Sequence, residues 1–486
     1  MSRVACYMLH IYNTLTNRKE EFKPIHPGKV GMYTCGPTVY GYIHIGNIRA
    51  YTNADILRRY LEYAGYEVRH IKNITDVGHL TDDDLAQGDS GEDKLIKKAL
   101  SEKKTPQEIA DFYESYFRSV ENEMHILPAQ YFPRATAHVP QMIKIIEGLI
   151  EKGYAYEKNG NVFFDISKFK DYGKLSGNTL ENLKVGARLE EHPDKKNPWD
   201  FALWLKAPEE HLMKWKSPWG IGYPGWHIEC SAMSTEYLGE TIDIHTGGED
   251  NIFPHHEAEI AQTECFTGKQ FVNYWFHGGM LQEKGEKMSK SKGNLYLIED
   301  IKKKGYTAMD LRMLLISSHY KSSLNFSWDA MDQAKKNLDR ISEFIKKLKS
   351  VEPMELSKKG KFDDKKLKGY QDKFESAMDD DLNTPLALSA IYEMITEVNK
   401  LMNDKKISAD QVKDILNFWE KINDVLGLRL YEKEEAVPDE IKELAEERES
   451  ARKEKDFKKA DKIRDKLKEK GYEIKDLEEK YEIKKI

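Results

Sequence analysis

The chain has 486 residues, of which 40% are hydrophobic and 33% charged, with a formal net charge of −7 at pH 7. This composition is typical of a soluble globular protein with about three domains, and no run approaches the ~20 apolar residues that cross a bilayer. Four cysteines without a CxxC pair exclude a disulfide framework and a zinc ribbon. The N-terminal apolar patch is too short for a signal peptide, so we expect a cytoplasmic protein. The acidic balance argues against a general nucleic-acid binder but still permits a local basic surface.

The first part of the chain predicts a parallel sheet. Residues 30–35 have the pattern of a buried strand that ends at Gly36. Residues 47–64 predict a helix with one apolar face, and residues 66–71 predict the next strand. Strand, helix and strand over this length form a βαβ unit, which implies parallel pairing. Strand patterns return at 241–245 and 271–276.

The rest of the chain predicts an insertion followed by helices. A helical stretch at 139–152 leads into a hairpin pattern with Asn159-Gly160 at its turn. Beyond residue 327 the pattern is almost entirely helical. We therefore predict an interrupted α/β domain followed by an all-α region. The predicted domains are a first catalytic half at 1–120, an insertion at 121–205, a second catalytic half at 206–327, a helical bundle at 328–430 and a C-terminal domain at 431–486.

Two separate motifs are suited to handling phosphate. Residues 37–47 lie between the first strand and the first helix, where glycine permits close approach of a ligand and a helix N-terminus presents free N–H groups to anions. His44 can donate a hydrogen bond there, although a histidine before a helix is more often a cap or a surface residue. The second motif, residues 287–294, alternates lysines with small residues, and lysine supplies a point charge for phosphoryl or nucleotidyl transfer. Without the first motif, residues 287–294 would be interpreted as a basic surface loop.

Together and in this order, the two motifs resemble the HIGH and KMSKS signatures of class I aminoacyl-tRNA synthetases. The second motif matches in full, whereas Asn47 replaces the second histidine of the first. Asparagine can still donate to phosphate, so we expect adjusted geometry and retained activity. The resemblance implies a Rossmann-type catalytic domain that binds ATP with Mg²⁺, with His44, Asn47, Lys287 and Lys290 as catalytic residues. The implied ATP-binding residues are Gly36, Thr38, His44, Gly46, Asn47, Lys287, Met288, Ser289, Lys290 and Ser291.

A further set of residues is suited to a metal. Pro254 is placed to open a helix, on which His255 and Glu259 would project from one face at i and i+4. Such a pair can bind zinc, although a simple hydrogen-bonded pair is the commoner outcome. Cys35 and Cys230, taken singly, have the default role of small buried hydrophobes.

At all four of these positions, and over almost its whole length, the chain resembles cysteinyl-tRNA synthetases. The resemblance implies one zinc ion held by residues Cys35, Cys230, His255 and Glu259, while Cys6 and Cys265 match no ligand position. It also implies a substrate pocket that contains Cys35, Thr75, Trp226, His245 and Asp250. The stretch 76–80 departs from the aspartate-rich form typical of many members.

The function implied is activation of L-cysteine with ATP and transfer of cysteine to the 3′ end of tRNA(Cys), which is the RNA partner. Zinc favours thiolate over hydroxyl, so serine would be rejected without an editing activity. The basic stretch 448–470 would serve as the anticodon-binding surface, where charge alone would favour a solvated helix. We expect a monomer. Two rivals stay open: an amino-sugar cysteine ligase, which the long helical C-terminus disfavours, and a non-catalytic paralogue, which the intact motifs disfavour.

Overall fold

The computed structural model describes residues 8–78, 93–179, 181–182, 193–288, 294–352, 356–357, 360–430, 438–454, 456–476 and 481–485. The chain divides into two compact units, Met1–Leu428 and Arg429–Ile486. None of the described helices is both long enough and apolar enough to cross a membrane.

Fourteen described strands belong to the first unit. They are β1 (His10–Asn13), β2 (Arg18–Glu21), β3 (Lys29–Thr34), β4 (Glu67–Lys72), β5 (Ala155–Lys158), β6 (Asn161–Phe164), β7 (Phe201–Lys206), β8 (Trp215–Ser217), β9 (Gly220–Pro224), β10 (Ile242–Gly248), β11 (Val272–Gly278), β12 (Leu281–Glu283), β13 (Glu286–Lys287) and β14 (Leu324–Phe326).

The described α-helices of the first unit are α1 (Ile45–Tyr63), α2 (Lys94–Glu102), α3 (Pro106–Glu123), α4 (Val139–Glu151), α5 (Trp226–Leu238), α6 (Glu257–Thr267), α7 (Ile298–Lys303), α8 (Ala308–Ile316), α9 (Trp328–Ser350), α10 (Asp364–Asp379), α11 (Thr384–Asn403) and α12 (Ala409–Leu426). The second unit contains α13 (Asp439–Lys453), α14 (Phe457–Glu469), β15 (Tyr472–Asp476) and β16 (Tyr481–Lys485).

The centre of the first unit is a four-stranded parallel sheet in the order β11-β10-β3-β4. The predicted βαβ unit is confirmed, because α1 connects β3 to its parallel neighbour β4. Helix α1 was predicted to have one apolar face, but every residue from Tyr51 to Leu61 is buried, so this part of the helix is enclosed on all sides. This arrangement brings the carboxyl ends of β3, β4 and β10 to one edge of the sheet, where ligands bind in open α/β folds.

A five-stranded antiparallel sheet in the order β5-β6-β7-β9-β8 interrupts the parallel sheet between β4 and β10. Its first hairpin turns at Asn159 and Gly160, which have φ angles of 58° and 89°. Two successive positive φ angles define the turn that matches the twist of paired strands, as the Asn-Gly pattern predicts. This sheet extends to Pro224, and the predicted limits of the insertion at 121 and 205 stay a prediction.

A buried ionic cluster joins α1 to the helical region. The Asp55 carboxylate accepts hydrogen bonds from Arg59 Nε at 2.8 Å and from Arg312 Nη2 at 2.6 Å. The two guanidinium groups also donate to the end of α12, Arg59 to the carbonyl of Asp424 and Arg312 to that of Leu426, each at 2.8 Å. Since two buried guanidinium groups share one carboxylate, the three side chains depend on one another.

The helix predicted to open at Pro254 is confirmed, because Phe253 has an extended backbone (φ −138°, ψ 132°) and the chain is helical from the next residue into α6. This places His255 beside Glu259. One local prediction was wrong. The C-terminal stretch was predicted to be almost entirely helical, yet it ends in an antiparallel hairpin of β15 and β16.

Candidate active site

The loop after β3 is held against the segment after β4. The backbone N–H of Val39 donates to the carbonyl of Thr75 at 3.1 Å, and that of Thr75 donates to the carbonyl of Pro37 at 3.0 Å. The N–H of Gly36 donates to Asn73 Oδ1 at 2.8 Å. A Cβ at Gly36 would lie 1.6 Å from the Asn73 carbonyl oxygen, which no side chain permits. Glycine is therefore required at position 36, where the loop after β3 contacts the segment after β4.

His44 caps the N-terminus of α1. Its Nδ1 accepts from the backbone N–H groups of Gly46 at 3.1 Å and Asn47 at 3.4 Å. Since Nδ1 accepts, the neutral ring carries its proton on Nε2, and Nε2 is the nitrogen that can donate to a phosphate. A Cβ at Gly46 would lie 2.8 Å from the His44 ring, so glycine at that position allows the capping geometry.

Asn47 completes a capping box with His44. Its side-chain Oδ1 accepts from the His44 backbone N–H at 3.1 Å. The side-chain oxygen is thus used within the helix terminus, and the amide nitrogen is the part of Asn47 that can donate to a ligand.

The lysine-rich motif is only partly described. Lys287 ends β13, paired with Gln282 of β12, and Met288 is buried. The Lys287 side chain, Ser289, Lys290 and Ser291 lie outside the described residues. The segment that follows the motif reaches the first motif directly, since the N–H of Ile45 donates to the carbonyl of Tyr296 at 2.9 Å.

Cys35, Cys230, His255 and Glu259 converge within 4.8 Å of one another at the carboxyl end of β3. The two sulfur atoms are 3.9 Å apart, and Glu259 Oε1 lies 3.9 Å from Cys35 Sγ and 3.0 Å from His255 Nε2. Cys230, His255 and Glu259 are buried, whereas Cys35 is partly exposed. The structure therefore brings together the four residues proposed as ligands from distant parts of the sequence.

This donor set is compatible with a metal ion. Two thiolates bound at ~2.3 Å to a tetrahedral zinc lie about 3.8 Å apart, close to the separation of the two sulfur atoms. Thiolate, imidazole and carboxylate are all ligands of zinc. A second group of four, Cys35, His245, His256 and Glu259, also clusters in the structure. It shares two members with the first and offers only one sulfur, so the first group suits a borderline-soft ion better.

The four groups perturb one another strongly. Burial opposes ionisation of Cys230, but hydrogen bonding from Cys35 and the charge of His255 lower the pKa of its thiol to about 6. Burial and the adjacent Cys230 raise the pKa of Cys35 well above its ordinary value. Burial would lower the pKa of His255, yet Glu259 and Cys230 raise it to about 10. Burial is likewise outweighed at Glu259, where His245 and His255 lower the pKa to about 2.

Three further histidines, His227, His256 and His277, surround this cluster, and none of them was predicted as a site residue. His227 Nδ1 lies 2.9 Å from His255 Nδ1, and His256 Nε2 lies 3.2 Å from Cys35 Sγ. His256 Nδ1 in turn lies 2.7 Å from His277 Nε2. Such contacts orient metal-binding side chains. The only sequence signal was the His255-His256 pair, because single histidines in buried stretches resemble core residues.

Two of the predicted substrate residues, Trp226 and His245, contact the cluster. Trp226 stacks on the His255 ring with centroids 4.3 Å apart. His245 is fully buried and its Nε2 contacts Glu259 Oε2 at 2.9 Å, so it lies behind the cluster. Thr75 is buried in the segment after β4, and Asp250 is exposed in the turn after β10.

Two family models match the chain. One, described as tRNA synthetases class I (C) catalytic domain, covers residues 21–336, and the other, described as DALR domain, covers residues 373–431. The chain is 44% identical to the cysteine--tRNA ligase of Chlorobaculum tepidum over 97% of this chain and 98% of that protein. It is 45% identical to the enzyme of the same name from Treponema denticola, over 98% of this chain and all of that protein.

The chain belongs to the cysteine--tRNA ligase family. The predicted fold class is confirmed by these matches together with the parallel sheet and the helical region. Among solved structures, the methionyl-tRNA synthetase of Mycobacterium tuberculosis in complex with methionyl-adenylate has a TM-score of 0.58, 15% identity, and coverage of 82% of this chain and 90% of that one. At this identity the likeness concerns the fold alone. Membership of the cysteine--tRNA ligase family rests on the sequence relatives.

Proposed function

We propose that this protein joins L-cysteine to tRNA(Cys) in two steps. The carboxylate of cysteine attacks the α-phosphate of ATP, which gives cysteinyl-adenylate and pyrophosphate. The terminal adenosine of the tRNA then attacks the adenylate and releases AMP. The observation that carries this proposal is the cluster of Cys35, Cys230, His255 and Glu259 at the sheet edge where α1 begins with His44.

Zinc is the metal we propose for the cluster, held by these same four residues. When bound, it supplies a soft Lewis acid that prefers the thiolate of cysteine to the hydroxyl of serine. An apolar pocket would separate such near-isosteres by only about 1–3 kcal/mol. We therefore propose that selection occurs at the metal and that the antiparallel sheet of the insertion has no editing role.

The protein's own groups act mainly by position and charge. The positive end of the α1 dipole lies at the loop, and His44 Nε2 provides a donor there. Lys287 and Lys290 would add positive charge to the phosphates, with Mg²⁺ bound to ATP. Trp226 packs against His255 and thereby forms one wall beside the cluster.

The tRNA would be read at its anticodon by the second unit. In α14 the apolar residues Ala460, Ile463 and Leu467 are buried against α13 and β15, whereas the lysines of the helix are exposed. A basic helix face of this kind suits phosphate contacts. We further propose that the protein works as a cytoplasmic monomer, and size-exclusion chromatography with light scattering would check the monomer.

Transfer of radiolabelled cysteine to acid-precipitable tRNA would test the proposed function. Serine is the parallel substrate, and a chelator-treated sample tests the metal. We expect charging with cysteine alone, lost on metal removal and restored by Zn²⁺. If cysteine drives ATP–pyrophosphate exchange but tRNA stays uncharged, the proposed transfer to tRNA is wrong, and amino-sugar acceptors become the next test.

A further inference from the structure

The segment that leaves the lysine-rich motif is bound to both neighbouring elements by Tyr296. Its carbonyl accepts from the N–H of Ile45, the first residue of α1 and the neighbour of His44. Its hydroxyl donates to Glu283 Oε1 at 2.8 Å. Glu283 ends β12, the strand that leads through a tight turn into β13 and Lys287. One tyrosine thus contacts the strand before the motif and the start of α1.

Tyr296 is held in this position by its ring. The ring packs on Phe326 with centroids 5.2 Å apart and edge-on to Trp328 with centroids 5.5 Å apart. Phe326 ends β14, which pairs with β12 in parallel. The ring is therefore fixed on the same small sheet that carries Lys287, and the hydroxyl reaches Glu283 from a preorganised position.

A second tyrosine, Tyr116, makes an independent link between the two motifs. Tyr116 of α3 donates from its hydroxyl to Glu299 Oε2 of α7 at 2.7 Å. Its ring lies edge-on to Tyr42 with centroids 4.7 Å apart. Tyr42 belongs to the loop that ends at His44. This link therefore also joins the histidine motif to the helix that follows the lysine motif.

We infer that Tyr296 and Tyr116 are positioning residues, whose hydroxyl groups set the place of the Lys287 motif relative to the N-terminus of α1. The inference rests on the proposed function, in which both motifs act on ATP. Neither hydroxyl needs to touch substrate. Because nucleotidyl transfer depends on placing fixed charges around the phosphates, a displaced lysine segment weakens the reaction while the thiol site stays intact.

The size of the effect follows from the type of bond. Both hydroxyls donate to carboxylates, and such charge-assisted bonds contribute more than neutral ones. Both tyrosines are partly exposed, which reduces the effect. We expect Tyr296→Phe to lower kcat/KM for ATP in cysteine-dependent pyrophosphate exchange about tenfold, with the KM for cysteine unchanged. Tyr116→Phe should lower kcat/KM for ATP about threefold to tenfold, because its link to the motif passes through α7.

A matched control is available in the helical bundle. Tyr370 is also partly exposed, and its hydroxyl donates to Glu397 Oε2 at 2.8 Å. Tyr370→Phe removes the same kind of bond far along the chain from both motifs. The experiment compares the three single variants and Tyr296→Phe/Tyr116→Phe with the parent protein, using pyrophosphate exchange with ATP and cysteine varied separately. Thermal unfolding of each variant separates lost positioning from lost stability.

The expected result is a loss in kcat/KM for ATP in both positioning variants, a larger loss in the double variant, and parent-like kinetics for Tyr370→Phe. Equal kinetics for all variants in an active parent protein would overturn the inference alone. The inference would also be overturned if the losses in kcat/KM for ATP followed the decrease in unfolding temperature and occurred in Tyr370→Phe as well. Such losses would reflect lost stability and not lost positioning. A parent protein without cysteine-dependent exchange would refute the proposed function first, and the inference with it.

Discussion

Binding of a metal ion to the cluster of Cys35, Cys230, His255 and Glu259 should release protons. The number released follows from the protonation state of each of these four side chains. Before metal binds at pH 7, Cys230 is largely thiolate because its pKa is about 6, and Glu259 is ionised because its pKa is about 2. Cys35 keeps its proton because its pKa is raised well above the ordinary value, and His255 is protonated because its pKa is about 10. Zinc binds thiolate and neutral imidazole, so it displaces one proton from Cys35 and one from His255.

Two protons displaced by one divalent ion leave the charge of the buried cluster unchanged. The affinity for zinc should therefore rise about a hundredfold per pH unit between pH 7 and pH 9. Below pH 6 the thiol of Cys230 also becomes protonated, so the number released should rise from two toward three. The range between pH 7 and pH 9 distinguishes the cluster from a site made of exposed groups, because the release should stay close to two there. Two exposed thiols with ordinary pKa values near ~8.5 would ionise in that range and release progressively fewer protons.

Calorimetric titration of the chelator-treated protein with Zn²⁺ would measure this. At each pH the titration is run in buffers with different ionisation enthalpies, and the slope of the observed heat against that enthalpy gives the protons released. Cys265→Ser is the control, because Cys265 is outside the four-residue group and its substitution should leave the number unchanged. A release close to zero at pH 7, or a fall in the number released between pH 7 and pH 9, would refute this assignment of protons.

Three substitutions test the loop after β3, the buried ionic cluster and the start of α1. Gly36→Ala should leave little folded, active protein, because the added methyl group overlaps a backbone carbonyl at 1.6 Å; circular dichroism would show this. Asp55→Asn should lower the free energy of unfolding by about 3–5 kcal/mol in urea titration, because two buried guanidinium groups lose their carboxylate. Asn47→Ala removes half of the capping box at His44 and should cost about 1 kcal/mol of stability. It should also raise the KM for ATP if the amide nitrogen contacts phosphate.

Gly36→Ala and Asp55→Asn each have a control variant. Gly65 has open space around its Cβ position but a φ of 95°, so Gly65→Ala should cost only moderate strain where Gly36→Ala prevents folding. Asp379 accepts from the neutral hydroxyl of Tyr60, so Asp379→Asn should cost about 1 kcal/mol. Equal losses for Asp55→Asn and Asp379→Asn would contradict the special role of the charged cluster. An unchanged KM for ATP in Asn47→Ala would limit that residue to capping.

Local pattern predicted most of the catalytic fold. The apolar run at 30–35, the helical spacing after it and the following strand were enough to predict parallel pairing, because a βαβ unit has few alternatives. The helical start at Pro254 was also predictable, since proline is favoured at the first helical position and the residue before it, Phe253, is extended. The C-terminal hairpin was missed because its strands are rich in charge, which is more typical of helix surface.

The site shows a different limit of sequence analysis. His255 and Glu259 were paired by their spacing, but Cys35 and Cys230 are far apart along the chain, and only family resemblance connected them before the structure did. The ionic cluster was missed for a related reason. Arg59 and Asp55 are four residues apart on a helix, a pattern that usually indicates a solvated surface, and nothing in the sequence shows that Arg312 buries them.

Helix α1 contacts both the parallel sheet and the helical bundle, and these contacts limit where the chain can be truncated. Besides the ionic cluster, the hydroxyls of Tyr60 and Tyr63 donate to Asp379 and Glu375 of α10, at 2.6 Å and 2.8 Å. A fragment that stops before α10 would leave these hydroxyls and two guanidinium groups uncovered on the helix that begins at His44. A minimal catalytic fragment therefore has to retain the bundle through Leu428, where the first unit ends.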